Sequence, residues 1–357
     1  MKTNLIFVDG AFPGGGAQQA LIRYKKMFSE IENINTFYFP VGKLSQCSHL
    51  LQDDVLFSYN QGRIKRLLLL ANFIRRAPRT VLFVTSIGSF FAILPLYLVF
   101  RSKTKLIYRY IQLPSQQIKA SLVPKYSWIL LSLFRDLPDL YIAQTSEMQE
   151  EMVSLLDMDP AKMMVIGNWI SEPELYNQAP DVIPYSAGSI VTFGVLGRIV
   201  KEKGLDDILK ALKICVNNKH DFQLHIYGAD IGGYKQILIQ KIARLDLSNR
   251  VKFFAYQKEI VHVMRSCDVI LNASYAEGYP NILIEALALG KKVIFSRSVS
   301  VVRELLERAN TGKTFDIGDY KQLSSHMMSW QDIKERKYLV SKSDYNFDTL
   351  FDTILDD

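Results

Sequence analysis

The sequence predicts an α/β protein made of two doubly wound parallel-sheet domains in series. Three observations carry that expectation. The chain has 357 residues, about two domains at roughly 150 residues each. Short apolar strand candidates alternate with helix candidates along most of its length, the pattern of a parallel sheet covered on both faces. The alternation breaks at 171–189, where three prolines and little periodicity point to a linker.

The first half opens on LIFVD, a strand, followed by a glycine-rich turn and an amphipathic helix over 17–29. Further strands are predicted at 36–39, 81–85, 105–109, 140–143 and 164–166, with helices near 63–75, 119–135 and 147–156. The run 81–100 has no charge and lies between Arg79 and Arg101, long enough on length alone to span a membrane. Its β-branched start, Gly88 and Pro95 argue instead for a buried strand followed by an apolar helix. The second half restarts with strand 190–196 and helix 205–216, then strand 223–227 and helix 234–245. Strand 251–254, a short helix at 260–265, strand 269–272, helix 281–289, strand 292–295 and helix 301–307 complete it. The domains expected are 1–180 and 181–335, with a terminal segment 336–357 packing back towards the first. Two such domains would face one another across a cleft, with ligands at the carboxyl ends of the strands.

Composition removes several classes. A chain 48% hydrophobic and 22% charged is neither disordered nor fibrous. Cys47, Cys215 and Cys267 are far apart with no CxxC pair; this excludes a disulfide scaffold, argues against structural zinc and suits a reducing compartment. The N-terminus MKTNLIFVDG reads as a first strand, not a signal peptide, so a cytoplasmic location is expected. Residues 1–135 hold 18 of the 43 Lys and Arg but 5 of the 36 Asp and Glu, a balance of +13 against −6 for the remainder. A basic face attracts phosphate-bearing partners. With no nucleic-acid-binding fold or aromatic platform visible, no nucleic-acid partner is expected. Long apolar runs beside the basic residues favour peripheral contact with an anionic membrane surface.

Two segments carry the most specific chemistry. GRIVKEKG, 197–204, directly follows a strand, so Arg198 and Lys203 sit in a strand-to-helix loop. A planar fork of donors and a point charge suit a diphosphate, although two solvated loop cations would show the same pattern. EGYPNILIEALALG, 277–290, reads as a helix with Pro280 at its first position and Gly290 as its stop. The amides of Asn281 and Ile282 would then form an anion site at the helix start. Glu285 lies one turn on, and Glu277 precedes the helix, where its carboxylate can accept bonds from vicinal hydroxyls.

These segments resemble those of family 4 retaining glycosyltransferases of the GT-B fold. The two Glu with seven residues between them match that family's E-x7-E signature, and GRIVKEKG resembles its GR-x-x-x-x-KG segment. GGGAQQA (14–20) is similar to its N-terminal Gly-Gly turn, and VIGNWI (165–170) to the segment closing its N-terminal domain. The resemblance implies a hexosyltransferase that takes a nucleotide-sugar donor and a saccharide acceptor, with no cofactor and no metal. The basic, apolar first domain adds a lipid-linked acceptor and bacterial surface-polysaccharide biosynthesis at the inner face of the cell membrane. By the same resemblance Arg198 and Lys203 hold the donor diphosphate, and Glu285 binds the nucleotide ribose. Glu277, with Gly278, Tyr279, Asn281 and Ile282 beside it, binds the transferred sugar. Gly15 and Gly16 let backbone amides approach from the other domain.

The sequence departs from the family at Gln18, where an acidic residue is usual, and in 106–116, which lacks the usual His and offers Tyr110 or Gln112. Other motifs are empty. Asp157 and Asp159 form a D-x-D that reads as turn and cap residues. Gly14, Gly16 and Gln19 miss the last glycine of a dinucleotide fingerprint. The five His show no ligand spacing, His225 reads as a packed strand residue, and there is no G-x-S-x-G. The alternatives are a nucleotide-sugar epimerase or hydrolase of similar fold, and a non-catalytic sugar-nucleotide-binding partner of another transferase.

Overall fold

The structure, a computed structural model, describes residues 2–9, 16–41, 62–119, 131–170, 190–257 and 259–355. The linker expected at 171–189 and most of the helix expected at 119–135 lie outside them. The chain divides into two compact units. The first is Met1–Asn168 with Tyr345–Asp357, the second Trp169–Asp344.

The first unit runs β1 (Thr3–Asp9), α1 (Gly16–Ser29), β2 (Ile34–Pro40), α2 (Arg63–Arg76), β3 (Thr80–Val84) and α3 (Ile87–Val99). It continues with β4 (Thr104–Arg109), α4 (Pro114–Lys119), β5 (Leu140–Ala143), α5 (Ser146–Leu156) and β6 (Met163–Val165). Its six strands are parallel in the order β2-β1-β3-β4-β5-β6. All five residues of β3 are buried, as expected where helices cover both faces of a parallel sheet. Phe7 stands opposite both Tyr38 and Phe83 in the register. The uncharged run 81–100 resolves into β3 and α3. Ser86 caps α3 by accepting from the Ser89 amide, and Phe90, Ile93, Leu94 and Tyr97 face the core. Among the described residues no helix is long and apolar enough to cross a membrane.

At the end of β4, the Arg109 side chain is fully buried. Its Nη2 donates to Asn168 Oδ1 at 2.7 Å, and the guanidinium lies 5.3 Å over the ring of Tyr24. The D-x-D is structural, as expected. Asp157 closes α5 in the left-handed conformation, and Asp159 accepts from the Ala161 amide at the next turn.

The second unit begins with β7 (Val191–Leu196), α6 (Leu205–Asn217), β8 (Phe222–Tyr227), α7 (Tyr234–Arg244), β9 (Val251–Phe254) and α8 (Ile260–Arg265). Next come β10 (Val269–Asn272), α9 (Asn281–Ala288), β11 (Lys292–Ser296), α10 (Ser300–Ala309), β12 (Lys313–Phe315) and α11 (Tyr320–Met328). The parallel order is β12-β11-β10-β7-β8-β9. One face of the sheet, through Phe193, Leu224 and Ile226, packs with Leu209 and Leu212 of α6 and Leu323 and Met327 of α11. β12 and α11 extend the pattern beyond the predicted elements. His225 is half-buried on β8 against the Phe254 ring, with its nitrogens 3.3 Å from Gln223 Oε1 and the Tyr227 hydroxyl.

The chain then returns to the first unit with α12 (Asp348–Leu355). Phe347 and Phe351 meet the rings of Tyr24 and Phe28 on α1, and the Tyr345 hydroxyl donates to the Asn168 carbonyl at 3.4 Å.

Candidate active site

In the second unit the strand order reverses between β7 and β10. The chain leaving β7 heads to one side and the chain leaving β10 to the other, so the carboxyl ends of these neighbours border a crevice. Sequence puts GRIVKEKG after β7 and the EGYP turn after β10. Topology therefore brings together two motifs that lie more than 70 positions apart.

The join is close. Gly204 has φ +62, and a Cβ there would run into the Ala273 carbonyl; glycine is needed both for the conformation and for the approach. The Tyr275 amide donates to the Glu202 carbonyl at 2.9 Å. The Tyr275 hydroxyl donates to Asp207 Oδ2 at 2.7 Å, in the first turn of α6. Burial, followed by that bond, raises the Tyr275 hydroxyl well above its usual pKa. Tyr275 thus pins one loop to the other with both its backbone and its side chain.

Across this join Lys203 Nζ meets Glu277 Oε1 at 2.5 Å. Asn272, the last residue of β10, lies 3.4 Å from the same oxygen through Nδ2 and turns its Oδ1 back to the Ser274 amide. Burial alone would raise the Glu277 carboxyl. The charge of Lys203 and the hydrogen bonds to it outweigh burial and hold the carboxyl below its usual range. Glu277 is therefore ionised at neutral pH and already shares the ammonium that the motif assigns to phosphate.

Arg198 is exposed at the head of the same loop and has no side-chain hydrogen bond or ion pair among the described residues. Gly278, Tyr279 and Pro280 are buried in the turn leading into α9. Pro280 caps the helix instead of opening it: its φ of −80 and ψ of 90 are not helical, and Asn281 is the first helical residue. The first intrahelical bonds are made by the Leu283 and Ile284 amides to the Pro280 carbonyl. The amides at 281 and 282 precede them, the position from which a helix start offers donors to an anion. Asn281 and Glu285 are buried one turn apart, at 8% and 7% exposure, and Ile282 is half-buried. Gly290 stops the helix as expected, with φ +72. Gly15 lies outside the described residues, and Gly16 is the first residue of α1 in the other unit.

Asn272, Tyr275 and Asp207 were not singled out by the motifs. An Asn closing a strand two residues before a buried Ser is the local sign of an Asx turn, and it could have drawn attention to Asn272. Among the described residues no three or more His, Cys, Asp or Glu gather into a group able to hold a metal ion.

Residues 190–343 match the family model of group 1 glycosyl transferases. The chain is 26% identical over 250 residues to the Campylobacter jejuni enzyme N-acetylgalactosamine-N,N'-diacetylbacillosaminyl-diphospho-undecaprenol 4-alpha-N-acetylgalactosaminyltransferase, covering 69% of this chain and 66% of that protein. It is 24% identical over 131 residues to the capsular polysaccharide biosynthesis glycosyltransferase CapM of Staphylococcus aureus, covering 37% and 34%. The matched stretches thus span less than two thirds of these relatives. In fold the chain is similar to HepE of Anabaena, solved with UDP-glucose, at a TM-score of 0.74 and 19% identity over 92% of this chain and 90% of that one. It is also similar to the lipopolysaccharide outer core galactosyltransferase WaaB, at a TM-score of 0.67 and 17% identity over 98% and 94%. The chain therefore has the two-domain α/β GT-B fold, and residues 190–343 in its second unit carry the group 1 glycosyl transferase segment.

Proposed function

We propose that this chain moves a hexose-type sugar, with retention of anomeric configuration, from a nucleoside diphosphate to a lipid-linked saccharide acceptor in cell-surface polysaccharide assembly. One observation carries the reading. Lys203 and Glu277 meet at the switch point of one sheet, in the two loops that also carry Arg198 and lead into α9. The Campylobacter jejuni relative is named for a diphospho-undecaprenol acceptor and the Anabaena structure holds UDP-glucose. The first supports a lipid-linked acceptor and the second a uridine donor.

In the proposed reaction the bond from the anomeric carbon to the outer phosphate breaks, and its electron pair stays with the diphosphate. A bond from the same carbon to an acceptor oxygen forms on the face that the phosphate leaves, and the acceptor hydroxyl gives its proton to an oxygen of the departing phosphate. Negative charge grows on the leaving phosphate. Arg198, Lys203 and the α9 amides oppose it with positive charge and N–H donors. Lys203 turns from Glu277 towards the phosphate, which frees the Glu277 carboxylate to accept bonds from the sugar hydroxyls. Glu285 holds the ribose. No protein nucleophile and no metal ion enters the scheme.

The test is a thermal-shift screen against UDP, GDP, ADP and their sugars, followed by product analysis with a labelled donor. A nucleotide at a hundred times its Kd should stabilise the protein by about 2.7 kcal/mol. Label recovered in an acceptor supports transfer. Label recovered as free sugar or as an epimer supports a hydrolase or epimerase, and binding without turnover a silent partner.

A further inference from the structure

We propose that the outer face of α2, with the end of α3 beside it, docks on an anionic lipid bilayer. The inference deepens the lipid-linked reading of the acceptor and rests on it for the identity of the surface.

α2 has two faces of opposite kind. Arg66, Leu70 and Ile74, at helical spacing, face the unit's interior, and Arg66 ends on the carbonyls of Pro40 and Val41. On the far side Ile64 and Leu68, one turn apart, are 77% and 66% exposed. Exposed cations accompany them, Arg63 and Lys65 on either side of Ile64 and Arg75 and Arg76 at the far end of the helix. Two large aliphatic side chains on one solvent-facing turn are unfavourable in water. The same turn inside a bilayer interface, with cations at headgroup level, is the favourable arrangement of a surface-seated amphipathic helix.

The charge placement says the same. Acidic residues belong in the first turn of a helix, where they meet the positive end of its dipole. α2 has none there and no side-chain cap, and two of its first three residues, Arg63 and Lys65, are exposed cations. These cations oppose the dipole, so helix stability does not account for them. An anionic surface does. The absence of acid is general: from Val55 to Arg135 the sequence has 13 Lys or Arg and no Asp or Glu.

The surface continues onto α3. Leu98 and Val99 are 47% and 74% exposed and are followed by exposed Arg101 and Lys103. Lys103 Nζ donates to the Arg75 carbonyl at 3.3 Å, which ties this turn to the end of α2. Apolar side chains inside a cationic border are suited to lipid; a nucleic-acid surface has no use for four exposed aliphatics.

The test is co-sedimentation of the full chain with phosphatidylglycerol-containing vesicles and with pure phosphatidylcholine vesicles, at about 0.1 and 0.5 M salt. Binding should need the anionic lipid and weaken at high salt. The Ile64→Asp/Leu68→Asp variant should lose about ten-fold or more in partitioning, and Arg75→Glu/Arg76→Glu about as much. Both should keep the wild-type melting temperature and nucleotide-induced thermal shift. If both variants bind vesicles as wild type does, α2 is the wrong face although the membrane reading survives. Wild-type protein that binds neither vesicle, or is retained by double-stranded DNA instead, overturns the docking proposal. The nucleotide shift would then still report on the transferase reading by itself.

Discussion

At the carboxyl ends of its two sheets the chain handles charge in opposite ways. In the first unit, Arg109 closes β4 with no solvent exposure, held by the Asn168 amide oxygen and the Tyr24 ring. In the second unit, Lys203 and Glu277 meet with side chains 21% and 16% exposed, and Arg198, earlier in the Lys203 loop, is exposed. A cation sealed under aromatic rings acts on packing. A partly exposed pair in the loop before a helix start remains within reach of a ligand. The difference follows from topology: the order β10-β7 in the second sheet opens a crevice between the loops that carry Lys203 and Glu277.

The comparison can be broken at several points. Lys203→Ala should lower sugar transfer by about ten- to a hundred-fold or more, since a charge-assisted bond is worth roughly 1.5–3 kcal/mol; wild-type turnover would end its role at the diphosphate. Arg109→Ala should cost about 3 kcal/mol of stability, through a large cavity and an abandoned Asn168. Calorimetry on the folded protein should find its nucleotide affinity unchanged, and a lost affinity would make the first sheet's end part of the site. Glu285→Ala should weaken nucleotide binding about ten-fold by calorimetry. Tyr275→Phe removes the bond to Asp207 while keeping the ring. It should lower stability by about 1 kcal/mol and lower transfer by less than Lys203→Ala does.

The smallest effect is on pH. Glu277 has a folded pKa below its ordinary 4.5. The stabilisation from its pairing is therefore complete above 4.5 and is lost as pH falls through the lower folded value. The melting-temperature difference between wild type and Glu277→Gln should shrink in acid. A gap independent of pH would mean that the carboxylate charge is not what binds Lys203.

Much of this architecture was legible in the residues. The strands of both sheets were expected within a residue or two, because buried parallel strands are short apolar runs. β12 was not, since three residues, Lys313 to Phe315, carry no periodicity. α11 was missed although Asp319 caps it by accepting from the Lys321 and Gln322 amides. The candidate site stands in the sequence as motifs but not as a geometry. Nothing local shows that Lys203 meets Glu277, or that Tyr275 reaches Asp207; both depend on which strands are neighbours. The position of Pro280 was missed by one residue, because proline's fixed φ serves a cap as well as a first turn.

The chain leaves the first unit at Asn168 and comes back to it at Tyr345, on the same residue's carbonyl. On a ribosome the unit begun first is thus completed last. The whole second unit emerges while the Tyr24 and Phe28 rings still await Phe347 and Phe351. Until Phe347 and Phe351 are made, α1 lacks these two ring partners, and the interval is the length of an entire domain's translation.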